Sequence, residues 1–167
     1  EAIVPKARVV MVGAFKQHPN FRTALLPGFT PGLLRDLVGA LPGDLLNLVG
    51  TGVGFGPDDI KVATAGLRRD LEALVLMLQN SPYLLGDQPS LADFAVAAAT
   101  FYLKFPSAQY VDLPAGIGGK GVPGLVDVPE FQPFFEWRDR LYSEFRTART
   151  NVPPADPGSG PTPISID

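Results

Sequence analysis

With 167 residues, 46% of them hydrophobic, the chain is long enough for one domain with a sizeable core and too apolar to stay disordered. A net charge of −3 excludes a surface built to hold nucleic acid or anionic lipid. The absence of cysteine excludes disulfides, thiolate metal sites and a nucleophilic or redox thiol in these residues.

In chain order, Ile3, Val10, Met11, Ala14 and Phe15 form a helical stripe that predicts a helix over about Ala2 to Lys16. The sequence starts at Glu1 in apparent mid-helix and without methionine, so a further piece is expected upstream. His18, Pro19 and Asn20 read as a stop. Thr30 followed by Pro31 predicts an N-cap with proline at the first helical position. Leu33, Leu34, Leu37, Val38 and Leu41 then keep helical spacing. Pro42 and Gly43 break that run, and one or two further turns are expected over Asp44 to Val49. "GTGVGFGPDD" reads as a flexible hinge ending at Pro57, a second N1 proline followed by acids that suit a helix dipole.

The longest pattern follows, to about Gln79. Ile60, Ala63, Leu67, Leu71, Leu74 and Leu78 recur at three and four residues. A fourth helix is predicted from Leu91 to Phe105. Its apolar residues lie nearly all round, which places it in the centre of a bundle. The glycine- and proline-rich stretch from Ser107 to Val128 reads as a flexible loop. A fifth helix spans about Pro129 to Arg146, with Phe131, Phe134, Phe135, Arg138, Leu141, Tyr142 and Phe145 on one face. The last twenty residues hold five prolines and no core-forming pattern, which predicts an extended or disordered tail. The expected architecture is all-α, a bundle of about five main helices over 1–147 with a flexible Pro-rich C-terminal tail over 148–167. The longest uncharged apolar run, Phe94 to Leu103, is too short to span a membrane.

Several chemical signatures dissolve in context. "GIGGKG" at 116–121 matches G-x-G-x-x-G, but no strand precedes it and no helix follows, so a loop is the better reading than a nucleotide site. His18 is the single histidine, which leaves neither a transition-metal site nor a Ser-His-Asp arrangement. No catalytic residue and no metal ligand is assigned. Tyr102, Tyr110, Tyr142 and Trp137 read first as packing residues.

The stretch "YLLGDQPSLADFAVAA" has more definition. Ser90 and Asp93 are spaced for a capping box, the hydroxyl accepting from the Asp93 N–H and the carboxylate from the Ser90 N–H. An elaborate cap is needed where a helix start is buried and water cannot serve its free N–H groups. "PYLLGDQPSLADFAVAA" closely resembles the central segment of the C-terminal domain of glutathione transferases, where an LxGdxpslADf pattern caps the core helix. The long helix before it and "PEFQPFFEWRDRLYSEF" after it fit the same order, over about residues 1 to 147.

The resemblance implies a two-domain parent protein. A thioredoxin-like domain would come first, with most of the glutathione site and the catalytic residue. This helical domain would supply a hydrophobic pocket for an apolar electrophile and part of a homodimer interface, for glutathione conjugation or glutathione-dependent reduction in the cytoplasm. Ser90 and Asp93 carry over as structural residues. Without its partner domain this chain is expected to be inactive. If the parent is an enzyme, Arg8, Met11, Val12 and Phe15 on the first helix, with Tyr102, are the candidates for the pocket wall. The rival expectation is a non-catalytic interaction or scaffold module of the same fold.

Overall fold

A computed structural model describes residues 2–26, 29–42, 45, 55–113 and 117–149, and among them six α-helices of six residues or more carry the chain. They are α1 (Ile3–Gln17), α2 (Pro19–Ala24), α3 (Gly32–Ala40), α4 (Pro57–Leu78), α5 (Leu91–Ala99) and α6 (Gln132–Phe145), the last preceded by a 3₁₀ turn at Pro129–Phe131. Among the described residues there is no strand, only isolated bridges at Tyr83–Gly86 and Lys104–Gly121.

The all-α reading is therefore correct, and its departures are local. The stop expected at His18 to Asn20 is a bend between two helices. His18 ends α1 by donating its N–H to the Ala14 carbonyl at 2.9 Å, and Pro19 opens α2, where a missing N–H does no harm. In α3 the boundary moves by one residue, because Pro31 occupies the cap position in extended conformation and no side chain caps the helix. The further turns expected over Asp44 to Val49 fall, Leu45 apart, outside the described residues, as does the tail from 150 onward.

α1 and α4 form the main helix pair. Gly13 lies so close to α4 that a Cβ there would come within 2.5 Å of Ile60 Cγ2, and Lys6 pairs with Asp70 at 2.6 Å. The core is built from Ala7, Val10 and Ala14 of α1, Leu67, Leu71 and Leu74 of α4, and Phe134, Phe135 and Leu141 of α6. The α4 leucines face inward as their periodicity predicted, whereas in α1 the buried face is turned toward Ala7, and Ile3, Met11 and Phe15 of the predicted stripe are half-buried.

α5 departs furthest from expectation. It ends at Ala99, six residues before Phe105. The Thr100 hydroxyl donates to the carbonyls of Val96 (2.9 Å) and Ala97 (3.2 Å), and the chain then turns. The residues beyond pair with the glycine-rich stretch instead. Phe105 N–H donates to Lys120 O at 2.7 Å, Gly119 N–H to Phe105 O at 3.0 Å, and Val122 N–H to Leu103 O at 2.7 Å. Nor is α5 enclosed on all sides. Asp93 and Ala97 are buried, while Leu91 is 84% exposed and Phe94 40%. A nine-residue helix rich in alanine fills little volume, so the longer α4 and α6 supply the core around it.

The stretch 107–128 is thus not a free loop. Outside residues 114–116, which are not described, it is tied to 103–105 and sends Ile117, Val122 and Leu125 inward. Gly121 permits this approach, since a Cβ there would lie 2.5 Å from the Leu103 carbonyl oxygen and nearer still to Val126. Gly121→Ala should therefore destabilise the fold by about 1–3 kcal/mol, the usual scale for overpacking. A urea midpoint equal to that of the parent chain would show that the pairing yields freely.

Candidate functional site

α1 turns Ala7, Val10, Gly13 and Ala14 into the bundle. At 3.6 residues per turn, Arg8, Met11, Val12 and Phe15 fall together on the adjoining arc. Arg8 is exposed and the three apolar side chains are half-buried, Met11 also packing against the core. α1 therefore brings these four residues together on one stripe. Tyr102 comes from elsewhere. Because α5 stops at Ala99, it lies in the following turn, half-buried, with its ring edge-on to Phe101 at 5.5 Å. Among the described residues, no hydrogen bond or ring contact joins Tyr102 to the α1 stripe. The stripe offers apolar surface with one guanidinium at its edge, and it contains neither a nucleophile nor a general base.

At the start of α5 the carboxylate half of the expected box is formed; the Asp93 N–H donates to the Ser90 carbonyl at 3.1 Å instead of to the hydroxyl, and the Asp93 carboxylate does more than a reciprocal pair requires. Its Oδ2 accepts from the Ser90 N–H at 2.8 Å and the Ser90 hydroxyl at 2.6 Å, and its Oδ1 accepts from the Leu84 N–H at 2.8 Å. The carboxylate thus ties the Tyr83–Gly86 turn to the helix. Burial pushes the Asp93 carboxyl up, but the bonds from the Ser90 hydroxyl and from the Leu84, Ser90 and Asp93 N–H groups outweigh it, and its pKa lies below the ordinary value. An ionised, fully buried carboxylate with these partners is structural, as the sequence implied.

Around α6 lie grooves that the sequence did not disclose, one of them, of about 360 Å³, against the end of α4 between Leu78, Pro82, Trp137 and Arg140. A second, of about 280 Å³ and mostly apolar, lies against α5, between Phe94 and Phe145, whose rings meet edge to face at 5.3 Å. Another, of about 600 Å³, lies between Lys104, Tyr110, Gly119 and Tyr142. Tyr142 borders these last two, and burial raises its hydroxyl pKa against the opposing charges of Arg138 and Arg146, so it stays protonated at neutral pH. Away from α6, a groove of about 570 Å³ runs between α1 and α4 past Lys6, Val9, Asp58, Val62 and Arg69.

Two buried cations also escaped sequence reading, Lys16 at the end of α1 and Arg22 in α2. They lie on different helices on either side of a bend, so no periodicity links them. Among the described residues, no cluster of three or more His, Cys, Asp or Glu could hold a metal ion, and no helix is long and apolar enough to cross a membrane.

Compared with known families, residues 57–142, just over half of the chain, match the family model for the glutathione S-transferase C-terminal domain. No curated protein and no solved structure matches the chain. The matched span takes in α4, the capped start of α5 and most of α6.

Proposed function

The chain belongs to the glutathione S-transferase C-terminal domain family, and from that premise we propose that it supplies the apolar co-substrate wall of a glutathione-dependent enzyme. The observation that carries this reading is the α1 stripe, where Met11, Val12 and Phe15 stand half-buried beside the exposed Arg8. A thioredoxin-like domain of the parent protein would hold glutathione and generate its thiolate. The stripe would receive the apolar body of the electrophile, and Tyr102 would approach from the turn after α5. No bond is made or broken by this domain in that scheme. It desolvates and orients the electrophile, so that thiolate attack proceeds from a fixed geometry. The reading carries with it a homodimer and the cytoplasm, where glutathione is the working thiol pool.

S-hexylglutathione, which joins a glutathione moiety to an apolar chain, is the probe for this site. Its addition to isotope-labelled protein should shift the backbone resonances of Arg8, Met11, Val12 and Phe15 together. Phe15→Ala should weaken its binding about tenfold or more, since burial of an aromatic side chain is worth about 1.5–3 kcal/mol. Shifts that spare all four residues would refute the assignment.

A second reading, a non-catalytic interaction module, draws on α3. No residue of α3 is buried, and Leu33 and Leu37 are 86% and 59% exposed. A leucine face of this kind suits a protein partner. Leu33→Asp with Leu37→Asp would abolish association under that reading and leave S-hexylglutathione binding unchanged under the first.

A further inference from the structure

We propose that the open cavity bordered by the ends of α1 and α3, by α2 and by the start of α4 binds a phosphate group, free or as a small monoester. The cavity measures about 470 Å³, and Lys16 and Arg22 both line it, with Gly39, Leu41, Pro57 and Ile60. Lys16 is 8% exposed and Arg22 2%. Among the described residues, the Lys16 ammonium has one long hydrogen bond, 3.3 Å to the Phe55 carbonyl. Arg22 donates from Nη1 to Leu41 O at 2.8 Å and from Nη2 to Gly39 O at 3.4 Å, while its Nε is buried without a partner among the described residues. No carboxylate pairs with either cation among the described residues.

Two buried cations on one cavity wall are costly unless a counter-charge is near. The carbonyl end of α3, which Arg22 caps, offsets only about half a charge. Among the described residues, the acids closest in sequence to the cavity pair with neither cation; Asp44, two residues past Pro42, lies outside the described residues. Asp58 and Asp59 line the groove between α1 and α4, and the Asp59 carboxylate is taken by the Gly56 N–H at 2.8 Å. Pro57 and Ile60 bring the N-terminal turn of the 22-residue α4 to the same cavity, which adds the positive end of its dipole.

A divalent oxyanion answers this charge better than a single carboxylate does. Lysine as a point charge beside an arginine is also a pairing that suits phosphate. Of the remaining wall, Leu41, Pro42 and Ile60 are apolar and Gln17 adds an amide, which leaves room for a small organic body with a polar group, as in a monoester. The cavity is separate from the α1 stripe, since none of Arg8, Met11, Val12, Phe15 and Tyr102 lines it.

Thermal unfolding of the full chain tests this, with sodium phosphate, glycerol phosphate or acetate added at one pH and one ionic strength. A saturable rise in Tm of several degrees with phosphate or glycerol phosphate, and none with acetate, is expected. Lys16→Gln should weaken the apparent affinity about tenfold or more, and Arg22→Lys, which keeps the charge but not the fork, should weaken it too. The stronger of the two phosphates identifies the source, free anion or monoester. A rise linear in phosphate and unchanged in Lys16→Gln is a general salt effect and overturns the proposal. An equal saturable rise with acetate, or no rise at all, overturns it as well.

Discussion

Replacing Arg138 by leucine should cost the fold about 1–3 kcal/mol, seen as a drop of roughly 2–12 °C in Tm. The side chain is completely buried and crosses from α6 to the turn after α5. Nη1 donates to Lys104 O at 2.6 Å and to Thr100 O at 3.4 Å, and Nη2 to Asp139 Oδ1 at 2.7 Å. Lys104 closes the circuit on Asp139 Oδ2 at 2.6 Å, and the guanidinium lies 5.5 Å from the Phe135 ring centre.

Two effects compete in that substitution. Burying an arginine is costly, so an apolar residue of similar size removes a desolvation penalty. Against that, leucine leaves the Lys104 carbonyl without its donor, at about 1–3 kcal/mol for a group that water cannot reach, while the Thr100 carbonyl keeps the Leu103 N–H at 3.0 Å. The second effect wins here because the Lys104 carbonyl lies in the segment that follows α5 and, among the described residues, no other donor serves it. The Asp139 carboxylate adds little, being 41% exposed and still paired with Lys104. Arg138→Lys should be intermediate, since an ammonium cannot span both carbonyls and the carboxylate. A leucine variant within about 0.5 kcal/mol of the parent chain in urea unfolding would mean that the turn is hydrated and the guanidinium dispensable.

Asp93→Ala is the other large expectation, at about 3 kcal/mol and above the usual ~1 kcal/mol for a lost cap. The Leu84 and Ser90 N–H groups and the Ser90 hydroxyl lose their acceptor together, and Leu84 is only 8% exposed, so water cannot take the vacated place. The pH dependence carries a definite sign. The Asp93 pKa is held below its ordinary value in the folded chain. The unfolded chain therefore takes up the proton first, from about pH 4 downward. The stability that the ionised carboxylate contributes is complete above that value and is lost as the pH falls through the folded pKa. The gap in unfolding free energy between the parent chain and Asp93→Asn should accordingly be widest near pH 7 and narrower near pH 3. A gap that widens toward pH 3 would contradict the hydrogen-bonded, ionised carboxylate.

How much of this was legible follows from how local each signal is. The periodicity of Leu67, Leu71 and Leu74 depends on one helix alone, and the structure buries all three. The Ser90–Asp93 box lies within four residues and needs no distant partner to be recognised. The length of α5 was not legible in that way. Its apolar run continues through Leu103, and what stops it is Thr100 back-bonding together with Arg138 from α6 and residues 119–122, all but the first remote in sequence. The same remoteness hid the placement of Tyr102 beyond the helix.

By itself, then, the amino-acid sequence determined the all-α class, the main helices, the buried cap and the family, because each is written in spacings of three and four residues or in one contiguous motif. Only the tertiary structure decided where α5 ends, that the glycine-rich stretch is a packed strap with Gly121 at its closest approach, that one side of α5 stays open, and that Lys16 and Arg22 share a cavity. Those outcomes depend on which side chains from separate helices compete for the same carbonyls and the same volume. Such competition is settled only when the helices are brought together.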